Sequence, residues 1–157
     1  MRVTSSFFYN NLAYISAGIL YVTTESYFNL NGTIFSENEA GEISTIDVKK
    51  SSFAHNNTIN ECDFTYNKAV RNTISLMYSN TIITRCFFKE NEAIFRSKNI
   101  FMGFSNVLIT NTDFILAETN NINTLINYED NSIGSFMFVI TDVNLTIIDT
   151  NFINGYA

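Results

Sequence analysis

The chain of 157 residues contains no proline and no tryptophan, and it has two cysteines and one histidine. This supply is too small for the usual zinc sites, and the sequence indicates no metal and no cofactor. With 9 basic against 15 acidic residues the net charge is −6, which argues against nucleic acid as a partner, since phosphate binding needs a basic patch. No nucleophile–base pair or glycine-rich phosphate loop is evident in the sequence, so we expect no enzyme.

Long hydrophobic runs are missing as well. The most apolar stretch, residues 133–148, contains Asp142 and Asn144 and is too short to cross a membrane, so the sequence predicts no membrane span. The apolar start of the chain is interrupted by Asn10 and Asn11. We therefore interpret it as part of the folded structure and not as a signal peptide.

The residues that are abundant point to strands. Hydrophobic residues make up 46% of the chain and aromatic residues 15%, and asparagine occurs 23 times. Asparagine and threonine disfavour helix interiors, whereas isoleucine, phenylalanine and threonine favour strands. The composition and length therefore predict one all-β domain with a sizeable core.

A short pattern, Phe-x-x-Asn-x-Ala, recurs along the chain. Four copies start at Phe8, Phe35, Phe64 and Phe88, and degenerate copies start at Phe114 and Phe152. The Asn positions are Asn11, Asn38, Asn67 and Asn91. An aliphatic residue stands five positions before each Phe: Val3, Leu30, Ile59, Ile83, Ile109 and Ile147. A small residue stands two positions before it: Ser6, Thr33, Cys62, Cys86, Thr112 and Thr150.

The copies are spaced by 27, 29, 24, 26 and 38 residues, from differences between successive Phe positions. This period predicts a parallel β-helix of about six coils of roughly 24–29 residues, with about three short strands per coil. Successive coils would lie about 4.8 Å apart, so equivalent residues would stack. The Phe and aliphatic columns would then form the core. The Asn column would form a hydrogen-bonded ladder in a turn whose left-handed backbone asparagine tolerates.

The other strands and loops follow from local patterns. Candidate strands are residues 19–23, 42–48, 73–78, 99–104 and 135–141. Residues 117–134 are predicted to be an inserted loop that accounts for the longest spacing, and residues 49–57 a shorter one. Phe53 also has an Asn three positions later, but we interpret it as part of the shorter loop.

The repeated FxxN motif, with its small and aliphatic residues upstream, resembles the pectin-lyase-like right-handed parallel β-helix repeats. It is most similar to the passenger domains of chlamydial polymorphic membrane proteins and to Asn-rich surface proteins of ciliates and related protists. Residues 17–19 and 40–43, AGI and AGEI, resemble the GGA-I motif that those passengers pair with FxxN, and the later coils lack it. The resemblance covers nearly the whole chain and implies a right-handed β-helix, a fold that hosts lyases, hydrolases, adhesins and scaffolds alike.

Several residues are candidate sites. Three glycosylation sequons begin at Asn31, Asn56 and Asn144, and they acquire meaning only in a secreted eukaryotic protein. Cys62 and Cys86 would lie about 4.8 Å apart in adjacent coils, within reach of a disulfide. Because stacked side chains point in parallel, we expect them to be free and buried instead.

Charged residues allow further expectations. Glu61 and Arg85 should pair between neighbouring coils. The position before each Phe should point outward. Asp63 and Asp113 occupy it, but Phe87 separates them, so they would not form a carboxylate pair. The lone His55 lies in the loop at 49–57, where we expect it to be solvated, like the Lys49-Lys50 pair.

Apolar residues also occupy the outward position, namely Phe7, Ile34 and Phe87. They would pack against a partner or lie under the inserted loops. Residues 1–157 begin and end within the repeat, which indicates a piece of a longer solenoid or a unit that stacks end to end.

The leading hypothesis is a structural or adhesive protein, extracellular or at the cell surface, glycosylated and filament-forming. Its partners would be itself or neighbouring coils of a longer chain, and glycans. The alternative is a β-helix that binds or cleaves polysaccharide.

Overall fold

The protein is a parallel β-solenoid, as the repeat predicted. The computed structural model describes residues 1–14, 18–23, 26–41, 44–93, 97–116 and 136–154. In this part of the chain all regular structure is β, and all pairings between strands are parallel.

Each of the first four coils contains four strands, whereas about three were expected. Coil 1 has β1 (Arg2–Thr4), β2 (Phe7–Tyr9), β3 (Leu12–Ala13) and β4 (Leu20–Thr23). Coil 2 has β5 (Asn29–Asn31), β6 (Ile34–Ser36), β7 (Glu39–Ala40) and β8 (Ile46–Lys49). Coil 3 has β9 (Asn57–Asn60), β10 (Asp63–Thr65), β11 (Lys68–Ala69) and β12 (Ile74–Met77). Coil 4 has β13 (Asn80–Thr84), β14 (Phe87–Lys89), β15 (Glu92–Ala93) and β16 (Ile100–Gly103).

The later coils are incomplete within the described residues. Coil 5 has β17 (Asn106–Thr110), β18 (Asp113–Ile115) and β19 (Met137–Val139), and coil 6 has β20 (Asn144–Ile148) and β21 (Asn151–Ile153). The predicted six coils are therefore four complete coils and two partial ones. The predicted insertion at 117–134 lies outside the described residues.

Equivalent strands of successive coils form four sheets. Sheet 1 is β1-β5-β9-β13-β17-β20 and sheet 2 is β2-β6-β10-β14-β18-β21. Sheet 3 is β3-β7-β11-β15, and sheet 4 is β4-β8-β12-β16-β19. The five strands predicted outside the motif correspond to the strands of sheet 4, although β8 begins at Ile46 and not at residue 42. The loop predicted at 49–57 lies between β8 and β9.

The stacked columns run through sheets 1 and 2. Phe8, Phe35, Phe64, Phe88, Phe114 and Phe152 are successive Cα partners in sheet 2. Their rings are stacked, with centroids 4.7–5.2 Å apart. The aliphatic column stacks in the same way in sheet 1.

Burial of the columns is complete only in the middle coils. From Leu30 to Ile109 and from Phe35 to Phe114, the column residues are at most 1% exposed. Val3 and Phe8 are half-buried, and Ile147 and Phe152 are 41% and 43% exposed. The prediction of buried columns therefore holds for the middle coils and is wrong for these four residues. They are partly exposed because no described strand lies beyond the first and last coils.

The corners of the coil depend on residues in the left-handed backbone region. The corner between sheets 1 and 2 has one in every coil: Ser5, Gly32, Glu61, Arg85, Asn111 and Asp149. The corner between sheets 2 and 3 has Asn10, Glu37, Tyr66 and Glu90, each just before the ladder Asn. The Asn of the ladder is therefore not the left-handed residue, which corrects the expectation from sequence.

A hydrogen bond explains the small column. The hydroxyl or thiol of Ser6, Thr33, Cys62, Cys86, Thr112 and Thr150 donates to the carbonyl two residues earlier, over 2.9–3.3 Å. This bond spans the left-handed residue and gives the corner carbonyl a further hydrogen bond, in addition to the backbone N–H that most of these carbonyls accept. Only a short side chain that carries a donor can make it, which restricts the column to Ser, Thr and Cys.

Candidate functional site

The most regular polar feature is a ladder of asparagine amides inside the solenoid, Asn11-Asn38-Asn67-Asn91. Each amide nitrogen donates to the side-chain oxygen of the next Asn, over 2.8–3.0 Å. The backbone nitrogens of Asn11, Asn38 and Asn67 donate to the same oxygens, over 3.0–3.1 Å. The second amide hydrogen of Asn38, Asn67 and Asn91 bonds a Phe carbonyl of the preceding coil, over 2.9–3.0 Å.

The ladder satisfies every polar atom of Asn38 and Asn67, which are fully buried. Such a network fixes the register of neighbouring coils, because a shift by one residue would leave buried amides without partners. After Asn91 the row ends on Asn99 of the same coil, whose side-chain oxygen accepts a bond of 3.1 Å. The Asn99 amide nitrogen is buried without a hydrogen bond.

A second interior row, which the sequence reasoning missed, lies at the corner between sheets 4 and 1. Ser51, Ser79 and Ser105 are buried there, and each follows a left-handed residue. The hydroxyls of Ser79 and Ser105 lie 3.3 Å apart, and the Ser51 hydroxyl accepts a bond of 2.8 Å from the Asn57 amide. The spacings of 28 and 26 residues between these serines match the coil length and are the signal that could have revealed them.

The outer face of sheet 1 carries the three sequons. Asn31 is half-buried in β5, and its side-chain oxygen accepts a hydrogen bond from the amide of Asn60. Asn56 is exposed before β9, and Asn144 is exposed at the start of β20. The side chains of Asn56 and Asn144 are therefore accessible for glycosylation, whereas the Asn31 side chain is held against its neighbour.

Two of the sequons line one shallow groove on this face. Asn80, Asn106 and Asn144 are Cα partners in β13, β17 and β20, and the Asn106 amide donates to the Asn80 oxygen over 2.8 Å. Asn56 and Thr146 complete the polar part of the groove. Ile82 and Leu108 give it an apolar floor. The groove thus combines amide groups with aliphatic side chains.

The two cysteines are free and buried, as expected, and they lie in adjacent coils. Their hydrogen bond and burial raise the pKa of the Cys86 thiol far above its ordinary value. A protonated, buried thiol is a poor nucleophile and a poor metal ligand. Both cysteines belong to the hydrophobic core cluster as well as to the small column.

The acidic residues in the described part of the chain do not converge. In sheet 2 Asp63 pairs in register with Phe87, and Phe87 pairs with Asp113, so one aromatic residue separates the carboxylates, as predicted. Burial raises the pKa of Asp63, and Asp113 accepts a bond of 2.7 Å from Asn151. Among the described residues, no group of three or more His, Cys, Asp or Glu side chains could hold a metal ion.

The remaining outward residues lie where the alignment placed them. Glu61 and Arg85 form an ion pair of 3.0 Å on the surface. Phe7 is 62% exposed and Ile34 is 39% exposed, and Phe87 is half-buried, so the described residues do not cover the first two. His55 is exposed, with its ring 4.8 Å from that of Tyr27.

The described part of the chain contains no helix that is long and apolar enough to span a membrane. Comparison of the sequence and fold with known protein families, curated proteins and solved structures gives no match.

Proposed function

We propose that the protein is a structural or adhesive β-helix of the extracellular space or cell surface. The observation that carries this proposal is the Asn38-Asn67-Asn91 amide row beside the stacked Phe column, which joins coil to coil along the axis. In both rows the side chains of neighbouring coils contact each other, and these contacts reinforce the main-chain hydrogen bonds of the four sheets. Such a rod resists bending and displays outward side chains at the spacing of strands in a sheet.

The resemblance of the FxxN repeats to chlamydial passenger domains and protist surface proteins supports a position at the cell surface. Exposed sequons at Asn56 and Asn144 support glycosylation in a secretory pathway. Stacking of further coils on the first and last coils would extend the rod, either within a longer chain or between molecules.

Electron microscopy of the native material tests the structural role. We expect rods or filaments whose axial rise is a multiple of about 4.8 Å per coil, with added density on Asn56 or Asn144. Compact particles without elongation, found at every concentration, would refute the filament part of the proposal. Mass spectrometry before and after treatment with an N-glycosidase gives the glycan occupancy independently.

Polysaccharide binding or cleavage is the second candidate, and the groove lined by Asn80, Asn106 and Asn144 favours it. Amides and aliphatic side chains side by side suit the hydroxyl groups and C–H faces of sugars. A glycan attached to Asn56 or Asn144 would fill the same groove, so glycosylation there and polysaccharide binding exclude each other.

The two functions can therefore be separated by one comparison. Glycosylated protein and the same chain produced in bacteria without glycans are incubated with a panel of polysaccharides, and new reducing or unsaturated ends are measured. New ends would establish an enzyme and overturn the purely structural proposal. Binding without cleavage, seen only in the protein without glycans, would show that native glycans block the groove.

A further inference from the structure

A pocket with aromatic walls lies where the chain passes from sheet 4 to sheet 1. Seven residues connect β8 to β9, whereas two connect β12 to β13 and β16 to β17. The longer connection, residues 50–56, lies between Tyr27 of the preceding coil and Tyr78 of the following coil. The pocket between them is lined by Tyr27, Lys50, Ser51, Ser52, Phe53, His55 and Tyr78.

Hydrogen bonds hold this connection in place. The Ser52 backbone nitrogen donates to the Ser26 carbonyl over 3.0 Å. The Asn80 amide donates to the Phe53 carbonyl over 2.9 Å. The Ser51 hydroxyl accepts from the buried Asn57 amide. These bonds hold Ser51, Ser52 and Phe53, so the first half of the connection is in place before any ligand arrives, which lowers the entropy cost of binding.

The aromatic rings of the pocket are exposed, and the ring of Tyr78 is held by stacking. Tyr27, Phe53 and Tyr78 are 48%, 51% and 44% exposed. The Tyr78 ring stacks on the ring of Phe104, with centroids 4.7 Å apart and planes 2° from parallel. The outer face of Tyr78 is therefore a rigid apolar platform that also carries a phenol hydroxyl.

The charge of the pocket is positive, in a chain whose net charge is −6. The neighbouring Lys49 does not contribute to the pocket, because its ammonium forms an ion pair of 3.4 Å with the Asp47 carboxylate and lies over the Tyr21 ring. Lys50 is exposed and makes no ion pair with any described residue. Among the described residues that line the pocket, none is acidic.

We propose that this pocket binds an anionic saccharide unit. The C–H face of a pyranose would stack on Tyr78, and its carboxylate or sulfate would bind the Lys50 ammonium through a charge-assisted hydrogen bond. The Ser52 hydroxyl and the His55 ring supply further polar groups for sugar hydroxyls. The site is separate from the groove on sheet 1 and does not depend on the structural role of the rod.

The test is calorimetric titration of the folded protein with three tetrasaccharides: tetragalacturonate, a sulfated heparin fragment and neutral cellotetraose. We expect binding of one or both anionic probes and at least about tenfold weaker binding of the neutral probe, since hydrogen bonds to charged groups carry much of the affinity. Preference for the first anion identifies a carboxylate ligand, and preference for the second identifies a sulfated one. Equal binding of all three probes, or binding of none, overturns the proposal.

Matched variants locate the binding. Lys50→Asn and Tyr78→Asn should each weaken binding about tenfold. Asparagine tolerates the left-handed backbone that both positions adopt, with φ of 61° and 51°. Tyr66→Asn is the control, because Tyr66 has a φ of 56° and is 43% exposed but lies at another corner. Phe53→Ser changes only the connection and should also weaken binding.

Circular dichroism and melting verify that each variant is folded. An equal loss of affinity in Tyr66→Asn, or unchanged affinity in both Lys50→Asn and Phe53→Ser, would place the ligand elsewhere and overturn the assignment of the pocket.

Discussion

Replacing Asn67 by alanine removes four hydrogen bonds from the middle of the amide ladder. The Asn67 amide nitrogen donates to the Phe35 carbonyl and to the Asn91 side chain, over 2.9 and 3.0 Å. Its oxygen accepts from the backbone and side-chain nitrogens of Asn38, over 3.1 and 2.9 Å. Alanine provides none of these groups, and the site is fully buried.

The energetic cost follows from the partners that remain. The variant leaves the Asn38 backbone N–H and one Asn38 amide hydrogen without a partner. The Asn91 oxygen keeps its bond to the backbone nitrogen of residue 67, and the Phe35 carbonyl keeps its place in the ladder between β6 and β10. Each buried polar group left unpaired costs ~1–3 kcal/mol, so the free energy of unfolding should fall by at least about 2 kcal/mol. For a chain of this length that lowers the melting temperature by at least about 4 °C.

Asn11 provides the matched control at the end of the same row. Asn11→Ala removes only the bond from its amide to the Asn38 oxygen, which retains the bond from the Asn11 backbone nitrogen. Because Asn11 is exposed, we expect a loss of about 1 kcal/mol or less. Both variants are melted by calorimetry and unfolded in urea. Equal, small losses would show that the ladder does not stabilise the coil stack.

Three further predictions test the register and the buried charge. Ile83→Asp places a charge in the core and should prevent folding. Thr84→Asp lies on the outer face and should change the free energy of unfolding by about 1 kcal/mol or less. If circular dichroism and melting stay unchanged in both variants, the coil register is wrong. Lys49→Gln should cost about 3–5 kcal/mol in urea unfolding, because it leaves the fully buried Asp47 carboxylate unpaired, and adding Asp47→Asn should recover most of the loss. Gly32 has a φ of 56°, so Gly32→Val should lower the free energy of unfolding by ~1–2 kcal/mol, and Gly32→Asn should lower it by less. If calorimetric melting shows an equal loss in both variants, the left-handed backbone is not the cause.

The stacked columns could be predicted because in-register coils place the same chemical requirement at the same position of every repeat. Phe35, Phe64 and Phe88 each face an identical ring above and below, so the pattern in the sequence is the packing itself. Asn38 and Asn67 likewise need an identical neighbour for their hydrogen bonds. Where that requirement is absent, the signals in the sequence are weaker, as for the boundaries of the strands in sheet 4.

Other features could not be predicted because their cause lies in the backbone. The left-handed residues before the ladder include Glu37 and Tyr66, whose side chains have little in common. Their conformation follows from the corner and is visible only once the corner is known. The complete burial of Asp47 also contradicts what a charged residue in an alternating strand suggests.

The corners on either side of sheet 2 have the same length in every coil, and this sets where the chain can change in length. Two residues separate β1 from β2, and two separate β2 from β3, and the same holds for each equivalent pair of described strands. Differences in coil length fall on the connections that lead to and from sheet 4. Residues gained or lost there do not displace the next coil, because its own corner restores the alignment. A foreign peptide inserted after Ala54 should therefore leave the solenoid intact, which would make this side of the molecule a natural place for new sequence to arise by insertion.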